Sequence, residues 1–175
     1  GVICVIGNGV VADPERLAKE LSDLKGRVEE PEKRLFISDR AHMVMPWHKI
    51  IDALLEGQLG KSSIGTTKQG IGPAYVDKVK RCGIRWNQAR NPEQFRERFL
   101  QAIGDANTLI RLLEGEELDV EATADQIMAG LEVLRPHIVD SVALLHRFVR
   151  EGKRVLLEGA QGTMLDVDFG TYPFV

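Results

Sequence analysis

Short apolar runs alternate with helical patterns over the first 60 residues, and this alternation restricts the fold more than any other feature. Residues 2–6 form a β-branched run bounded by glycines, which predicts a buried strand, and residues 34–38 predict a second one. A helical spacing of apolar side chains follows each run, as Leu17, Leu21 and Leu24, and then as Ile50, Ile51, Leu54 and Leu55. We therefore predict an α/β fold with a mostly parallel sheet flanked by helices.

Helix starts are marked by a polar residue followed by proline. Asp13-Pro14 and Asn91-Pro92 each offer a side-chain oxygen at the N-cap and a proline at the first helical position. Met45-Pro46 opens the helix that contains the second apolar stripe. These pairs predict three helix N-termini.

Residues 91–150 are strongly helical and predict a subdomain inserted in the sheet domain. The second of two stretches, from about residue 121 to 150, has apolar residues near a 3.5 spacing, and Pro136 should kink it. We expect an all-helical insertion over residues 91–150, within an α/β portion formed by residues 1–90 and 151–175. We also expect its helices to pack as a separate cluster, and residues 155–157 to return as a strand of the sheet that contains residues 2–6 and 35–38.

Composition excludes several classes of protein. The net charge of -3 argues against a protein that coats nucleic acid, and no apolar run reaches the roughly 20 residues needed to cross a bilayer. Two cysteines are too few for a disulfide framework, and no secretory signal is visible, so we expect a cytoplasmic location. Because the chain opens and closes on apolar, strand-like residues, we expect it to be a piece of a longer protein.

A glycine turn follows the first predicted strand. Residues 7–12 read Gly-Asn-Gly-Val-Val-Ala, which formally matches a dinucleotide-binding fingerprint. In that motif the helix opens inside the glycine turn and its N-terminus holds the pyrophosphate. Here the helix signals begin later, at Asp13-Pro14, so a tight turn after the strand is the better interpretation.

The segment from Gly57 to Pro92 is basic within an acidic chain. Asp77 is its one acid, against seven basic residues, which are Lys61, Lys68, Lys78, Lys80, Arg81, Arg85 and Arg90. Glycines and threonines at residues 65–67 and 70–72 let backbone amides and hydroxyls approach an anion. Pro73 can start a short helix that places Tyr75, Lys78 and Arg81 on one face. A phosphate site and a solvated basic loop fit this pattern equally well.

Other polar residues give weaker signals. Gln161-Gly162-Thr163 follows the last predicted strand, where open α/β sheets bind ligands, although a turn explains these residues as well. The four histidines lie in unrelated settings without partners at metal-ligand spacing. No serine–histidine–acid arrangement is suggested, so the sequence predicts no metal site and no nucleophilic triad.

Three separated motifs carry a family resemblance. Residues 65–81 contain Gly-Thr-Thr and then Gly-Ile-Gly-Pro-Ala-Tyr-Val-Asp-Lys-Val-Lys-Arg, and they closely resemble the signature of adenylosuccinate synthetases. Residues 7–11 and residues 158–173, which include Glu-Gly-Ala-Gln-Gly-Thr, resemble two further motifs of that family in the same order. The resemblance spans the whole chain, and the helices between the motifs fit the family's helical insertion.

The resemblance implies a GTP-dependent ligase of purine and AMP biosynthesis. Such enzymes join IMP to L-aspartate with GTP and Mg²⁺, through phosphorylation of the 6-oxygen of IMP and displacement of that phosphate by aspartate. It places Thr67 and Arg81 at the IMP 5′-phosphate, with Arg81 reaching across a homodimer, and Gln161 near the 6-position. Lys78 matches the signature lysine, which we interpret as a supporting charge.

The same resemblance places the catalytic residues, the magnesium ligands and the guanine-reading segment outside residues 1–175. It therefore implies an internal fragment that is inactive alone, with no membrane or nucleic-acid partner. Two other functions stay open. The first is a non-catalytic α/β module that binds a polyanion through the basic loop 61–85. The second is a dinucleotide-dependent oxidoreductase, which the weak glycine turn alone supports.

Overall fold

The computed structural model describes residues 1–60 and 65–175, and Lys61 of the basic loop lies outside the described residues. Within these ranges a parallel three-stranded sheet has the order β1 (Cys4–Ile6), β3 (Leu35–Ser38) and β5 (Ile138–Val139). Ile6 pairs with Ile37, which pairs with Ile138, so apolar residues align across the sheet. A smaller parallel pair joins β2 (Val11–Ala12) to β4 (His42–Met43).

Helices surround these sheets, which confirms the mixed α/β class with parallel strands. The described residues contain α1 (Pro14–Asp23), α2 (Pro46–Leu59), α3 (Ile71–Lys80), α4 (Pro92–Leu112), α5 (Val120–Leu134) and α6 (Ser141–Arg150). Short 3₁₀ turns cover Pro31–Lys33, Trp86–Arg90, Arg135–His137 and Thr163–Leu165. In the described part of the chain, no helix is long and apolar enough to cross a membrane.

The predicted helix starts are confirmed. The Asp13 carboxylate accepts the backbone N–H groups of Glu15 and Arg16, at 3.0 and 3.2 Å, and the Asn91 side chain caps α4 in the same way. Capping removes the cost of unpaired N–H groups in the first turn, typically about 1 kcal/mol. Asp140 caps α6 by the same geometry, and Asp119 caps α5 through the N–H of Ala122; neither cap was among the predicted helix starts.

One core joins the sheet to the helices. Ile37 and Ile138 of the sheet belong to the same buried cluster as Phe99 of α4 and Leu131 of α5. Trp47 of α2 also lies in it, with its ring centroid 5.3 Å from that of Phe99. The expected separate helical cluster is therefore wrong, whereas the domain division into residues 1–90 with 151–175 and residues 91–150 stays a prediction.

The second helical stretch is broken rather than kinked. Helix α5 ends at Leu134, and Pro136 lies in a 3₁₀ turn that leads into β5. Proline has no N–H to donate and clashes with the preceding turn. The next two residues, Ile138 and Val139, are β-branched and pair with β3 instead of continuing a helix. The insertion is thus not all-helical, because it contributes a strand to the sheet.

The predicted strand at residues 155–157 is wrong. Residues 153–159 have no regular secondary structure, and the side chains of Leu156 and Leu157 are 89% and 87% exposed. An apolar, β-branched run indicates strand propensity but not the neighbour that must supply its hydrogen bonds. In the described chain, β5 occupies the position beside β3 and no strand pairs with residues 155–157.

We predict that Gly70→Ala destabilises the protein, because Gly70 has a left-handed φ of 74° and packs against α2. A β-carbon there would lie 2.7 Å from the His48 carbonyl carbon and 2.7 Å from the Lys49 nitrogen. The free energy of unfolding should fall by roughly 2 kcal/mol or more. Denaturant unfolding of the intact protein measures it.

Gly104→Ala is the matched control for that substitution. Gly104 lies in the middle of α4, where an added β-carbon meets nothing within 4 Å. Alanine should stabilise the helix there by about 0.5–1 kcal/mol. Equal effects of the two substitutions would contradict the close packing at Gly70.

Candidate functional site

One face of α2 carries three buried polar side chains, which we call the α2 polar stripe. His48, Asp52 and Glu56 recur every fourth residue and so share a face of the helix. Their exposures are only 2%, 8% and 8%. The sequence predicts an apolar stripe on this helix instead, formed by Ile50, Ile51, Leu54 and Leu55. Ile51 of that stripe is buried, but Leu55 is 44% exposed.

The stripe binds the loop that precedes α3. Glu56 Oε1 accepts the backbone N–H groups of Gly65 at 2.5 Å and of Thr66 at 3.3 Å. Asp52 Oδ2 accepts the N–H of Gly70 at 2.9 Å, next to the start of α3. The backbone donors that the sequence offered to an anion therefore bind carboxylates of the chain itself. Thr67, between these contacts, is exposed.

Helix α3 packs on the glycine turn after β1. The Tyr75 hydroxyl donates to the carbonyl of Gly9 at 2.9 Å, and Lys78 Nζ lies 3.4 and 3.3 Å from the carbonyls of Asn8 and Gly9. The N–H of Val10 closes the turn on the Gly7 carbonyl, well before α1 begins. The tight-turn interpretation is confirmed, because no helix N-terminus opens within the glycines.

Arg81 ends α3 in a left-handed conformation. Its φ and ψ are 65° and 30°, and its side chain is exposed just beyond the helical face shared by Tyr75 and Lys78. The carbonyl of Asp77 accepts the N–H groups of Cys82 at 3.0 Å and Gly83 at 3.1 Å. Non-glycine residues adopt this conformation only where neighbouring contacts hold it. Here Asp77 supplies those contacts.

His48 holds the side chain of Asp77. The Met45 N–H donates to His48 Nδ1 at 2.9 Å, so the other ring nitrogen, Nε2, carries the proton and donates to Asp77 Oδ2 at 3.0 Å. Burial raises the pKa of Asp77. The hydrogen bonds donated by His48 and by the Cys82 thiol, with the charge of Lys80, outweigh burial and leave that pKa below its ordinary value. Asp77 is thus an ionised anchor between α2 and α3.

Two neighbouring groups are uncharged near neutral pH. Burial, followed by the hydrogen bond and charge of Asp77, raises the pKa of the Cys82 thiol, so it stays protonated near neutral pH. Burial, followed by the charges of Lys78 and Arg85, lowers the pKa of His42 and keeps it neutral. The charge near this end of α3 therefore comes from Asp77 and from the basic side chains Lys78, Lys80, Arg81 and Arg85, not from His42 or Cys82.

The comparisons with known proteins cover the full length of the chain. A family model described as adenylosuccinate synthetase matches residues 1–175. The chain belongs to the adenylosuccinate synthetase family. An adenylosuccinate synthetase of Caldanaerobacter subterraneus is 49% identical over 99% of the chain and 41% of its own length. That of Clostridium novyi is 45% identical, with 99% and 41% covered.

A solved structure agrees with the fold. The fully ligated adenylosuccinate synthetase from Plasmodium falciparum superposes with a TM-score of 0.89 at 36% identity, over 99% of this chain and 40% of that one. The chain thus spans about two fifths of the length of the adenylosuccinate synthetases it matches. The family resemblance identified from three sequence motifs is confirmed.

Gln161 makes no described contact with residues 65–83, which contain the other predicted site residues. It lies in an exposed segment before the 3₁₀ turn Thr163–Leu165, and no hydrogen bond joins that segment to residues 65–83 in the described chain. Asp166 caps the backbone of Asp168 and Phe169, which is a turn function. Among residues 1–60 and 65–175, no group of three histidine, cysteine or carboxylate side chains fits a metal ion.

We predict that Asp77→Asn destabilises the protein in a pH-dependent way. Because the pKa of Asp77 is lowered in the folded state, its contribution is fully present above the unfolded pKa of about 3.9 and is lost as pH falls through the lower folded value. The stability difference between the two proteins should be constant near neutral pH and shrink below about pH 4. Urea unfolding across that range measures it, and a difference independent of pH would contradict the ionised anchor.

Proposed function

We propose that this chain supplies part of the IMP site of an adenylosuccinate synthetase. The intact enzyme would convert IMP, L-aspartate and GTP into adenylosuccinate, GDP and phosphate. The observation that carries the proposal is the segment from Gly65 to Gly83, in a chain matched by the family model throughout. Its exposed Thr67 and Arg81 flank a helix that the α2 polar stripe holds at both ends.

Arg81 is proposed to bind the 5′-phosphate of IMP. A guanidinium offers paired donors to phosphate oxygens, and such charge-assisted contacts are stronger than neutral hydrogen bonds. The left-handed turn at the end of α3 directs the chain away from the helix and leaves this side chain exposed. That exposure suits a group that reaches a partner subunit across a homodimer. Thr67 is proposed to add a hydroxyl donor to the phosphate.

Lys78 and Gln161 are proposed to have different roles. The Lys78 ammonium contacts the carbonyls of the glycine turn, which supports a charge that fixes the turn rather than one that transfers a proton. Gln161 has an amide that can contact IMP near its reacting 6-position.

The remaining properties of the enzyme are proposed from the family alone. They are Mg²⁺ as cofactor, aspartate and GTP as further substrates, and a cytoplasmic location without nucleic-acid or membrane partners. The described residues contain no side-chain cluster that fits Mg²⁺, so no step is assigned to a metal here. We propose that residues 1–175 do not catalyse the reaction alone, since the resemblance assigns the catalytic groups to other parts of the family's chain.

We predict that Arg81→Ala in the intact enzyme weakens IMP binding by roughly ten- to a hundredfold, since a charged hydrogen bond contributes about 1.5–3 kcal/mol. Arg81→Lys should recover only part of this loss, because lysine lacks the planar fork. Calorimetric titration with IMP and with GTP measures the effect, and GTP affinity should not change. Arg150→Ala, which removes an exposed arginine at the end of α6, is the control and should change IMP affinity little.

The cross-subunit role has its own test. If Thr67 serves its own subunit's site and Arg81 the partner's, mixing Arg81→Ala chains with Thr67→Val chains gives heterodimers in which one site has both groups intact. Activity should then exceed that of either variant alone. Unchanged IMP affinity in Arg81→Ala would refute the phosphate contact, and lost affinity without complementation would refute only the cross-subunit role.

A further inference from the structure

We propose that the α2 polar stripe, formed by His48, Asp52 and Glu56, is a set of positioning residues for the IMP 5′-phosphate. These side chains do not touch the nucleotide. They fix the backbone on both sides of Thr67 and the turn that presents Arg81. The inference rests on the proposed function of Thr67 and Arg81, and it assigns the stripe a part in IMP affinity.

The loop around Thr67 is held on both sides by carboxylates of α2. Glu56 binds the N–H groups of the two residues before it, Gly65 and Thr66, and Asp52 binds that of Gly70, three residues after it. Two carboxylates one helical turn apart therefore bracket the exposed threonine. The close approach of Gly70 to the first turn of α2 adds a steric restraint at the same place. The position of Thr67 is thus set by α2.

The turn at Arg81 is held by His48 through Asp77. The His48 ring is buried and fixed at Nδ1 by the backbone of Met45, so Nε2 donates in a defined direction to Asp77. Asp77 in turn binds the backbone of Cys82 and Gly83 through its own carbonyl. The left-handed residue Arg81 lies between these contacts. His48 therefore fixes the turn at Arg81 through Asp77.

The negative charge of Asp52 and Glu56 and their hold on the loop have opposite effects on IMP affinity. A carboxylate near a phosphate repels it, so removing the charge of Asp52 or Glu56 favours IMP by electrostatics alone. Removing the acceptor frees backbone amides and lets the loop move, which disfavours IMP. Amide and alanine variants both remove the charge, but only alanine removes the acceptor oxygen. The difference between them isolates the positioning role.

The experiment compares Asp52→Asn with Asp52→Ala, and Glu56→Gln with Glu56→Ala, in the intact enzyme. Dissociation constants are measured for IMP and for inosine, which lacks the phosphate. We expect each alanine variant to bind IMP about tenfold or more weakly than its amide counterpart, with inosine affinity equal in the two. Gln58→Ala, at an exposed position of α2, is the control and should change neither constant.

The His48 contact is tested by substituting its partner Asp77, because Asp77 is not a core residue and its removal leaves no cavity in the core. Asp77→Ala should weaken IMP binding several-fold with normal Arg81 present. In the Arg81→Ala background it should have no further effect, because a positioning residue acts through the group it positions. Even if an alanine variant of Asp52 or Glu56 fails to fold, this cycle still tests whether the stripe positions Arg81.

Three results would overturn the inference. Equal IMP affinity in the alanine and amide variants would show that the acceptors do not position the loop. Equal losses for IMP and inosine would indicate general damage to the site. Additive effects of Asp77→Ala and Arg81→Ala on IMP binding free energy would show that Asp77 does not act through Arg81. If Thr67→Val and Arg81→Ala themselves leave IMP affinity unchanged, the proposed function fails and the inference with it.

Discussion

The binding of loop amides by the carboxylates of α2 is the interaction on which the candidate site depends. Asp52 and Glu56 are each only 8% exposed, and a buried carboxylate is costly unless it is hydrogen-bonded. Their described partners are backbone N–H groups of the glycine-rich loop, which would otherwise need an anion or water. Helix and loop therefore stabilise each other, and α3 begins next to Gly70, where Asp52 binds. Through His48 the same helix also fixes the far end of α3.

Local features of the fold could be predicted, and non-local ones could not. The caps at Asp13 and Asn91 act on amides two or three residues away, so the sequence contains all the information they need. The pairing of Ile138 with Ile37 joins residues about a hundred positions apart, and no local sequence feature near Ile138 predicts this partner. The opposite error occurred at residues 155–157, where strand propensity was present but a partner strand was not.

The site was partly predictable for the same reason. The glycines, threonines and basic residues of 65–81 fitted a phosphate site and a solvated loop equally well, whereas the motif they form identified the family. The sequence did not reveal that Glu56 and Asp52 occupy the loop's backbone donors, because that depends on how α2 lies against the loop. A signal was nevertheless present, since the polar residues at positions 48, 52 and 56 recur at one-turn spacing along α2. Polar side chains on a buried helix face need hydrogen-bond partners, and here the partners are backbone groups of the loop.

Native-state hydrogen exchange of the loop amides in the intact protein tests this account most directly. If each carboxylate holds its own amides, Glu56→Ala should speed exchange at Gly65 and Thr66 by about tenfold or more and leave Gly70 protected, because local opening governs exchange. Asp52→Ala should have the reverse effect, exposing Gly70 while Gly65 and Thr66 stay protected. Equal exchange at all three amides in both variants, or no change in either, would contradict the claim that the α2 polar stripe holds the loop.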